Sequence, residues 1–547
     1  MKKILFFLFF FLSISGQAFS NTISSYCDIG VSEKNIKKIN NLLIKKIEID
    51  VNKYRNWTVN SIRIITGNFR FIPQKYKQRF EAKILVTYEG DVRCALKGRI
   101  RHSGDAKDHI ALQGNSISQS LDVILDSGHI RGITRFKLFR IGVRGQSEDV
   151  IIQTEILRNL NYLAPRTIKV NTRINNAEES VMLFQEKASK ELLEFNKRRE
   201  GPILEGDQKF FFKLVENIPD NNQSNWDVGT PILRSQSIKA MLAKQTNSNL
   251  IKKNEYYKKM SYNALTNLNL IYLYYANRFQ DEKNNFHFFD YDLDNQLLGF
   301  FNKDNILKLD IYNLLMQSTN SQHALSSSNR KFYWNSIENY FEPIAYDSNF
   351  NIEFETALFP LPIGEQIEVA FKEVENLLKE IEIKKFNKKI ILRGLNLNEK
   401  QTKEKIRKIK KNIGKLRTIY SNISSETLLW NRYDQIDKKM WKKYYDSVYK
   451  ISPNIYLTKQ SPEKNSFERC EIKPLNCMSY SFSDDQRKDL LEGRLVINNM
   501  EYQYIGKNTE SNNLLIDSSY KSIKFNDSYF YFNEDINYSH DEEKKEF

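Results

Sequence analysis

The sequence predicts an α+β protein, and three stretches carry that expectation. Residues 62–140 contain short runs rich in β-branched and aromatic residues, broken by Gly, Asp and Asn. Residues 187–420 instead repeat apolar side chains at three- and four-residue steps, the period of a helix. From 493 to 533 short strand-like runs return. Strands and helices are segregated rather than alternating, which argues against a doubly wound sheet.

The elements follow in order. Lys2 and Lys3 precede an almost wholly apolar run from 4 to 14, and Ala18-Phe19-Ser20 offers small residues around one larger one. That pattern predicts a cleavable signal peptide over 1–20 and a periplasmic or secreted protein. The run is short for a membrane span, and no second run of spanning length follows. Residues 31–55 read as a helix on Ile36, Ile39, Leu43 and Ile47. Strands are expected at 82–88 and 92–100, around the turn Glu89-Gly90-Asp91, and at 121–125 and 135–141, in an antiparallel sheet. A helix at 148–162 carries Ile151, Ile152, Ile156, Leu157 and Leu160 and stops before Ala164-Pro165. Strands at 167–174 and 180–185 flank the turn Asn175-Asn176.

Three helical faces follow. One is Leu265, Leu268, Ile271, Tyr272 and Tyr275; another is Ile367, Phe371, Val374, Leu378 and Ile381. The third, Ile406, Ile409, Ile413, Leu416 and Tyr420, has Lys and Arg on its solvent side. Short strands are expected at 495–497, 502–505, 514–516, 523–525 and 529–532, ahead of a charged tail expected to fray. The resulting division is 1–20, an N-terminal helical segment 21–60, a β-rich unit 61–187, a helical unit 188–425, a connector 426–465 and a small C-terminal β module 466–547.

Composition bounds the function. With 547 residues, more than one domain is expected, and 35 Phe and 29 Tyr supply ample core. The net charge of +16 comes from Lys spread along the chain rather than gathered on one motif, so nucleic acid is not an expected partner. Cys27, Cys94, Cys470 and Cys477 are an even number in an exported chain and suggest disulfides. Cys470 and Cys477 could close a short loop, which would leave Cys27 with Cys94, although three pairings are formally open. Zinc is the weaker alternative, because no CxxC occurs and there are only 6 His. GxSxG, HExxH and P-loop motifs are absent from the sequence.

Several local sequences then stand in a telling order: Leu96-Lys-Gly-Arg-Ile-Arg-His-Ser-Gly104; Arg135-Phe-Lys-Leu-Phe139, leading into the helix around Glu155; Leu163-Ala-Pro-Arg-Thr167; and Phe184-Gln-Glu-Lys187. Asn329-Arg-Lys-Phe-Tyr333 and Pro343-Ile-Ala-Tyr-Asp347 complete it. The series resembles the spore-coat protein H (CotH) kinase family in a divergent exported form, over roughly 90–350. The resemblance implies an atypical protein-kinase-like two-lobe fold, with a β-rich N-lobe and a helical C-lobe. It does not cover the N-terminal helix or the C-terminal module.

Phosphoryl transfer needs cations on the nucleotide phosphates, a metal held by oxygen ligands and a positioned acceptor. Lys137 alternates with Phe136 and Leu138, and a Lys on an apolar strand face needs an anionic partner. It is the first candidate for the phosphate contact, with Lys107 as competitor. Glu155, 18 residues on, is the candidate partner of Lys137. Glu186 matches a family acid at the lobe junction and could contact nucleotide or cap the next helix. Asp347 with Asn329, 18 residues upstream, pairs a carboxylate with an amide oxygen, a set suited to Mg²⁺ or Mn²⁺. The position five before Asn329 is Ala324 where the family places an acid, so the base is either neighbouring His323 or Asp281, which stands near Asn284 and Asn285. The run Asp290-Tyr-Asp-Leu-Asp294 lacks the Gly and Glu of a calcium loop. The resemblance therefore implies ATP and a divalent cation as cofactors, and Ser or Thr of an envelope or secreted protein as acceptor. The alternative is an inactive kinase-like scaffold of the envelope, whose C-terminal module docks a partner or surface polysaccharide.

Overall fold

The computed structural model describes residues 25–209 (apart from 29, 70, 115 and 144–146), 212, 242–278, 293–352, 366–422, 455–461, 466–472, 475–507, 514–517, 522–525 and 528–531. The expected signal peptide, Asp281 and most of the connector lie outside these residues. Mixed α+β architecture is observed, but its first sheet is closed rather than open.

Helix α1 (Glu33–Asn40) leads into β1 (Ile44–Val51), α2 (Tyr54–Thr66), β2 (Phe80–Tyr88) and β3 (Arg93–His102). A hairpin, β4 (Ile110–Gln113) and β5 (Ser116–Gln119), precedes β6 (Leu121–Leu125) and β7 (Arg135–Arg140). Helix α3 (Asp149–Asn159) separates these from β8 (Thr167–Ile174) and β9 (Ser180–Glu186). Seven strands close a barrel in the order β1-β2-β3-β6-β7-β9-β8. The seam is a parallel pairing of Lys46–Ile49 with Asn171–Ile174.

The closing strand corrects the sequence reading. The helix expected over 31–55 ends at Asn40, and Leu43 and Ile47 do not continue its face. In β1, Ile47, Ile49 and Val51 are buried and alternate with Glu48 and Asp50. That period of two outweighs the coincidental three- and four-residue steps, because the strand can bury every second side chain inside the barrel. Helix α2, in turn, occupies the start of the stretch expected to be strands. The interior is apolar: Ile47, Ile84, Val86, Ile100, Val123, Phe136, Leu138, Val170 and Phe184 are all at 1% exposure or less. Each such side chain contributes about 1.5–3 kcal/mol by burial. A disulfide ties Cys27 to Cys94 on β3 across 67 residues of sequence. Closing a loop of that length stabilises by about 4 kcal/mol in the chain-entropy account.

Alternation along β7 sends Phe136 and Leu138 inward and leaves Lys137 and Phe139 on the outside. There Phe139 joins a second core, with α3, α7 (Lys303–Ser318), α8 (Ile367–Lys379), α9 (Ile383–Ile391) and α10 (Glu399–Ser421). Between α3 and α7 the chain forms α4 (Lys190–Phe195), α5 (Glu255–Arg278) and the short α6 (Asn295–Leu298). A four-stranded sheet, in the order β11-β10-β12-β13, is built from β10 (Ile203–Gly206), β11 (Ala243–Gln245), β12 (Lys331–Asn335) and β13 (Tyr340–Ile344).

The C-terminal strands β14 (Ile455–Gln460), β15 (Phe467–Ile472), β16 (Leu475–Tyr480), β17 (Val496–Ile497) and β18 (Met500–Lys507) form one sheet, with α11 (Asp484–Leu491) between β16 and β17. Strand β14 lies inside the stretch expected to be connector. Phe467, Phe482, Tyr502 and Tyr504 pack with Tyr262, Leu265 and Leu268 of α5, so this sheet shares a core with the helical part. Cys470 and Cys477 stand opposite each other on β15 and β16 and form the second disulfide. All four cysteines are paired. A last sheet holds β19 (Leu514–Asp517), β20 (Ser522–Phe525) and β21 (Ser528–Tyr531). No helix among the described residues is long and apolar enough to cross a membrane.

Candidate functional site: a lysine-lined cleft

The outer barrel face carries a charged row. Arg101, Asp122, Lys137 and Gln185 are direct neighbours across β3, β6, β7 and β9. Asp122 is buried and takes Arg79 at 2.8 Å, Lys187 at 2.9 Å and Arg101 at 3.4 Å. Three cations on one carboxylate leave this face with surplus positive charge. Burial acts against the Asp122 anion, and Lys187, Arg101 and Arg79 outweigh it, holding the carboxyl well below the usual range.

Opposite the row stands the turn after β13. Ala345 N donates to Leu163 O, and Ser348 Oγ donates to Gln153 Oε1 of α3 at 2.7 Å. Gln153 Nε2 donates in turn to Ser321 Oγ at 2.7 Å. One buried glutamine therefore fixes two loops against each other, the one bearing Asp347 and the one bearing His323. Asp347 and Asn349 both adopt left-handed φ, 46° and 52°, which turns the chain sharply at the carboxylate.

Three expected residues meet here. His323 Nε2 lies 3.5 Å from Asp347 Oδ2. Asn329 Nδ2 contacts His323 Nε2 at 3.0 Å and its carbonyl oxygen at 3.2 Å, which leaves Oδ1 as the outward acceptor. Asp347 keeps 37% of its side chain exposed, so the cluster opens to solvent. Burial raises the Asp347 carboxyl, but the His323 contact, then Lys137 and His109, bring it down to about 2. The carboxylate is therefore ionised at any physiological pH. Asn349 holds its Oδ1 out of solvent with no hydrogen-bond partner among the described residues. Asp347 and Asn329, which both contact His323, offer a carboxylate and an amide oxygen, donor types that Mg²⁺ or Mn²⁺ takes.

Lys137 reaches this cluster through Tyr346. Its Nζ donates to the Tyr346 hydroxyl at 2.9 Å and lies 5.0 Å from the ring centre. No carboxylate lies within ion-pair distance of it among the described residues. Burial disfavours its charge, yet Tyr346, Asp122 and Asp347 outweigh that and hold the ammonium raised. Lys331 of β12, unremarked in the sequence, stands over the same ring at 4.1 Å and contacts Glu205. Burial, then the charges of Lys137 and Lys187, push the Lys331 ammonium well down, and Asp347 opposes them.

The other candidates go elsewhere. Glu155 does not pair with Lys137. It is buried on α3 against Arg158, with Arg393 at 3.6 Å and Lys389 at 3.8 Å. Helix α3 turns its Glu155 side toward α9, where arginine supplies a closer cation than β7 does. Glu186 is buried in a two-pronged pair with Arg166, whose Nε is 2.9 Å away. It therefore neither caps the next helix nor faces the cleft. Lys107 donates to Gly67 O at 2.7 Å, an anchor for the loop after α2. Asp281 lies outside the described residues. No protein-family model matches this chain, and no curated protein matches it.

Proposed function

We propose that this exported protein is a CotH-like atypical kinase that binds ATP with Mg²⁺ or Mn²⁺ in the cleft and phosphorylates Ser or Thr of an envelope or secreted protein. The observation that carries the reading is Lys137. It is an ammonium on the charged outer face of the barrel that donates to the Tyr346 phenol, makes no ion pair among the described residues, and lies near an ionised Asp347. Such a cation is stable there when an anion arrives. In this reading Lys137 neutralises the phosphates, while Asp347 and Asn329 Oδ1 hold the cation, which would supply charge neutralisation on the phosphoryl oxygens. His323 takes the proton of the acceptor hydroxyl at Nε2 once the Asn329 amide yields that nitrogen.

The test is thermal denaturation of the protein with and without ATP and Mg²⁺ or Mn²⁺, beside Asp347→Ala. A ligand that binds only the folded state raises its stability. A rise in Tm lost in Asp347→Ala supports the reading; no rise with any nucleotide sinks it. A second reading, an inactive kinase-like scaffold, is favoured by one specific observation. The Lys–Glu pair expected of an active kinase-like cleft is replaced here by the Glu155–Arg158 pair. A nucleotide response without transfer to any protein of the envelope would select that reading.

A further inference from the structure

The geometry points to Lys331 as a second oxyanion-binding residue, set beside Lys137 by the Tyr346 ring, so that the cleft takes a ligand with two linked phosphate groups. This deepens the nucleotide reading and rests on it only for Lys137 as a phosphate contact. Both ammonium groups lie over or beside one phenol, at 4.1 Å and 5.0 Å from its centre. Lysine ammonium groups are attracted to a ring face, and the Tyr346 hydroxyl adds a hydrogen bond to Lys137. Tyr346 is therefore a positioning residue that both ammonium groups contact. It is itself fixed in the turn that Leu163 and Gln153 anchor.

The Lys137 charge disfavours the Lys331 ammonium, and an anion touching both would relieve that repulsion. Lys187 adds to that repulsion from the barrel side, and its own ammonium is pushed down by burial, against the pull of Asp122. Glu205 balances only Lys331, and it shares its charge with Lys244 at 3.7 Å. A single small anion at Lys137 answers one of the two ammonium groups. A diphosphate answers both, and each contact is charge-assisted.

The experiment is thermal denaturation with inorganic pyrophosphate or orthophosphate at matched ionic strength, without metal or nucleotide. We expect pyrophosphate to act at a concentration at least about tenfold lower than orthophosphate. Lys331→Met should abolish that preference and Lys331→Arg should retain it, which guards against a misfolded Met variant. Tyr346→Phe should weaken both anions by several-fold while leaving the ligand-free Tm within a few degrees. Asp347→Ala should tighten pyrophosphate binding, because it removes a negative charge from beside both lysines. Equal action of the two anions on the native protein, no action of either, or a preference that survives in Lys331→Met overturns the assignment. The nucleotide reading fails separately, by loss of the ATP–metal response. An ATP response that needs Asp347, without any pyrophosphate preference, keeps that reading and removes this one.

Discussion

Two charged clusters face each other across α3, and they are built on opposite principles. Around Glu155 the charges are closed: the carboxylate is 4% exposed, Arg158 is 7% exposed, and Arg393 and Lys389 complete the shell. Burial would raise the Glu155 carboxyl, but Arg158, Arg393 and Lys389 outweigh it and bring it down to about 2. Around Lys137 the charges are open. Its ammonium meets a phenol instead of a carboxylate, and Asp347 beside it reaches solvent. A saturated cluster holds the fold and has nothing left to bind. An unsaturated one costs stability, and it retains the capacity for a ligand.

The largest expected effect breaks the closed cluster. Glu155→Ala leaves Arg158 and Arg393 buried side by side, and losing one member of a buried pair costs about 3–5 kcal/mol. Arg393 is already pushed down to about 9 by burial and Arg158, against the pull of Glu155, so removing Glu155 lowers it further. A denaturant titration should show the unfolding free energy falling by that amount. A change below about 1 kcal/mol would mean the cluster is not the staple described here.

A third acid sharpens the comparison, because it meets no cation among the described residues. Asp310 of α7 is fully buried; Asn295 Nδ2 donates to its Oδ1 at 2.7 Å, and its Oδ2 has no partner among the described residues. Burial, opposed by the Asn295 hydrogen bond and aided by Asp294, pushes it up to about 6. The folded value exceeds the unfolded one, near 3.9. The stabilisation is therefore fully present below about pH 4 and is lost as pH rises through about 6. Asp310→Asn removes the titration, so the native chain should lose on the order of 2 kcal/mol from pH 4 to pH 7 relative to the variant. Parallel pH profiles for the two proteins would show that Asp310 does not titrate in this window.

How much of this was legible in the sequence depends on where the partners lie. His323, Asn329 and Asp347 stand within 25 residues of one another, around a single strand pair, and residue types alone marked them. Lys137 was legible because an apolar alternation held a charge. The outer partner of Glu155 was not, since Arg393 arrives from the turn after α9, more than 200 residues later, and no local pattern ties the two. Lys331 was hidden by composition: 83 Lys and Arg give any one of them little signal until β12 brings it over Tyr346. The closed barrel was missed for a different reason. In β1, Ile44 and Ile47 satisfy helical spacing and Ile47, Ile49 and Val51 satisfy strand spacing, and only pairing with both β2 and β8 decides between them.

The smallest stability effect is expected where the functional one is greatest. Lys137→Met keeps the length of the side chain against Phe139 and removes a part-buried charge that no carboxylate neutralises. Tyr346, Asp122 and Asp347 favour the ammonium, so its loss should cost the ligand-free protein about 1 kcal/mol, well below the loss at Glu155. Tyr346 keeps Lys331 over its ring, and its hydroxyl can turn to solvent. The same variant should lose the Tm rise with ATP and metal, since the phosphate contact is gone. Glu155→Ala, once allowance is made for its lower starting stability, should retain that rise. If Lys137→Met instead destabilises by several kcal/mol and leaves ligand binding intact, the open cluster is structural like the closed one, and the distinction between them fails.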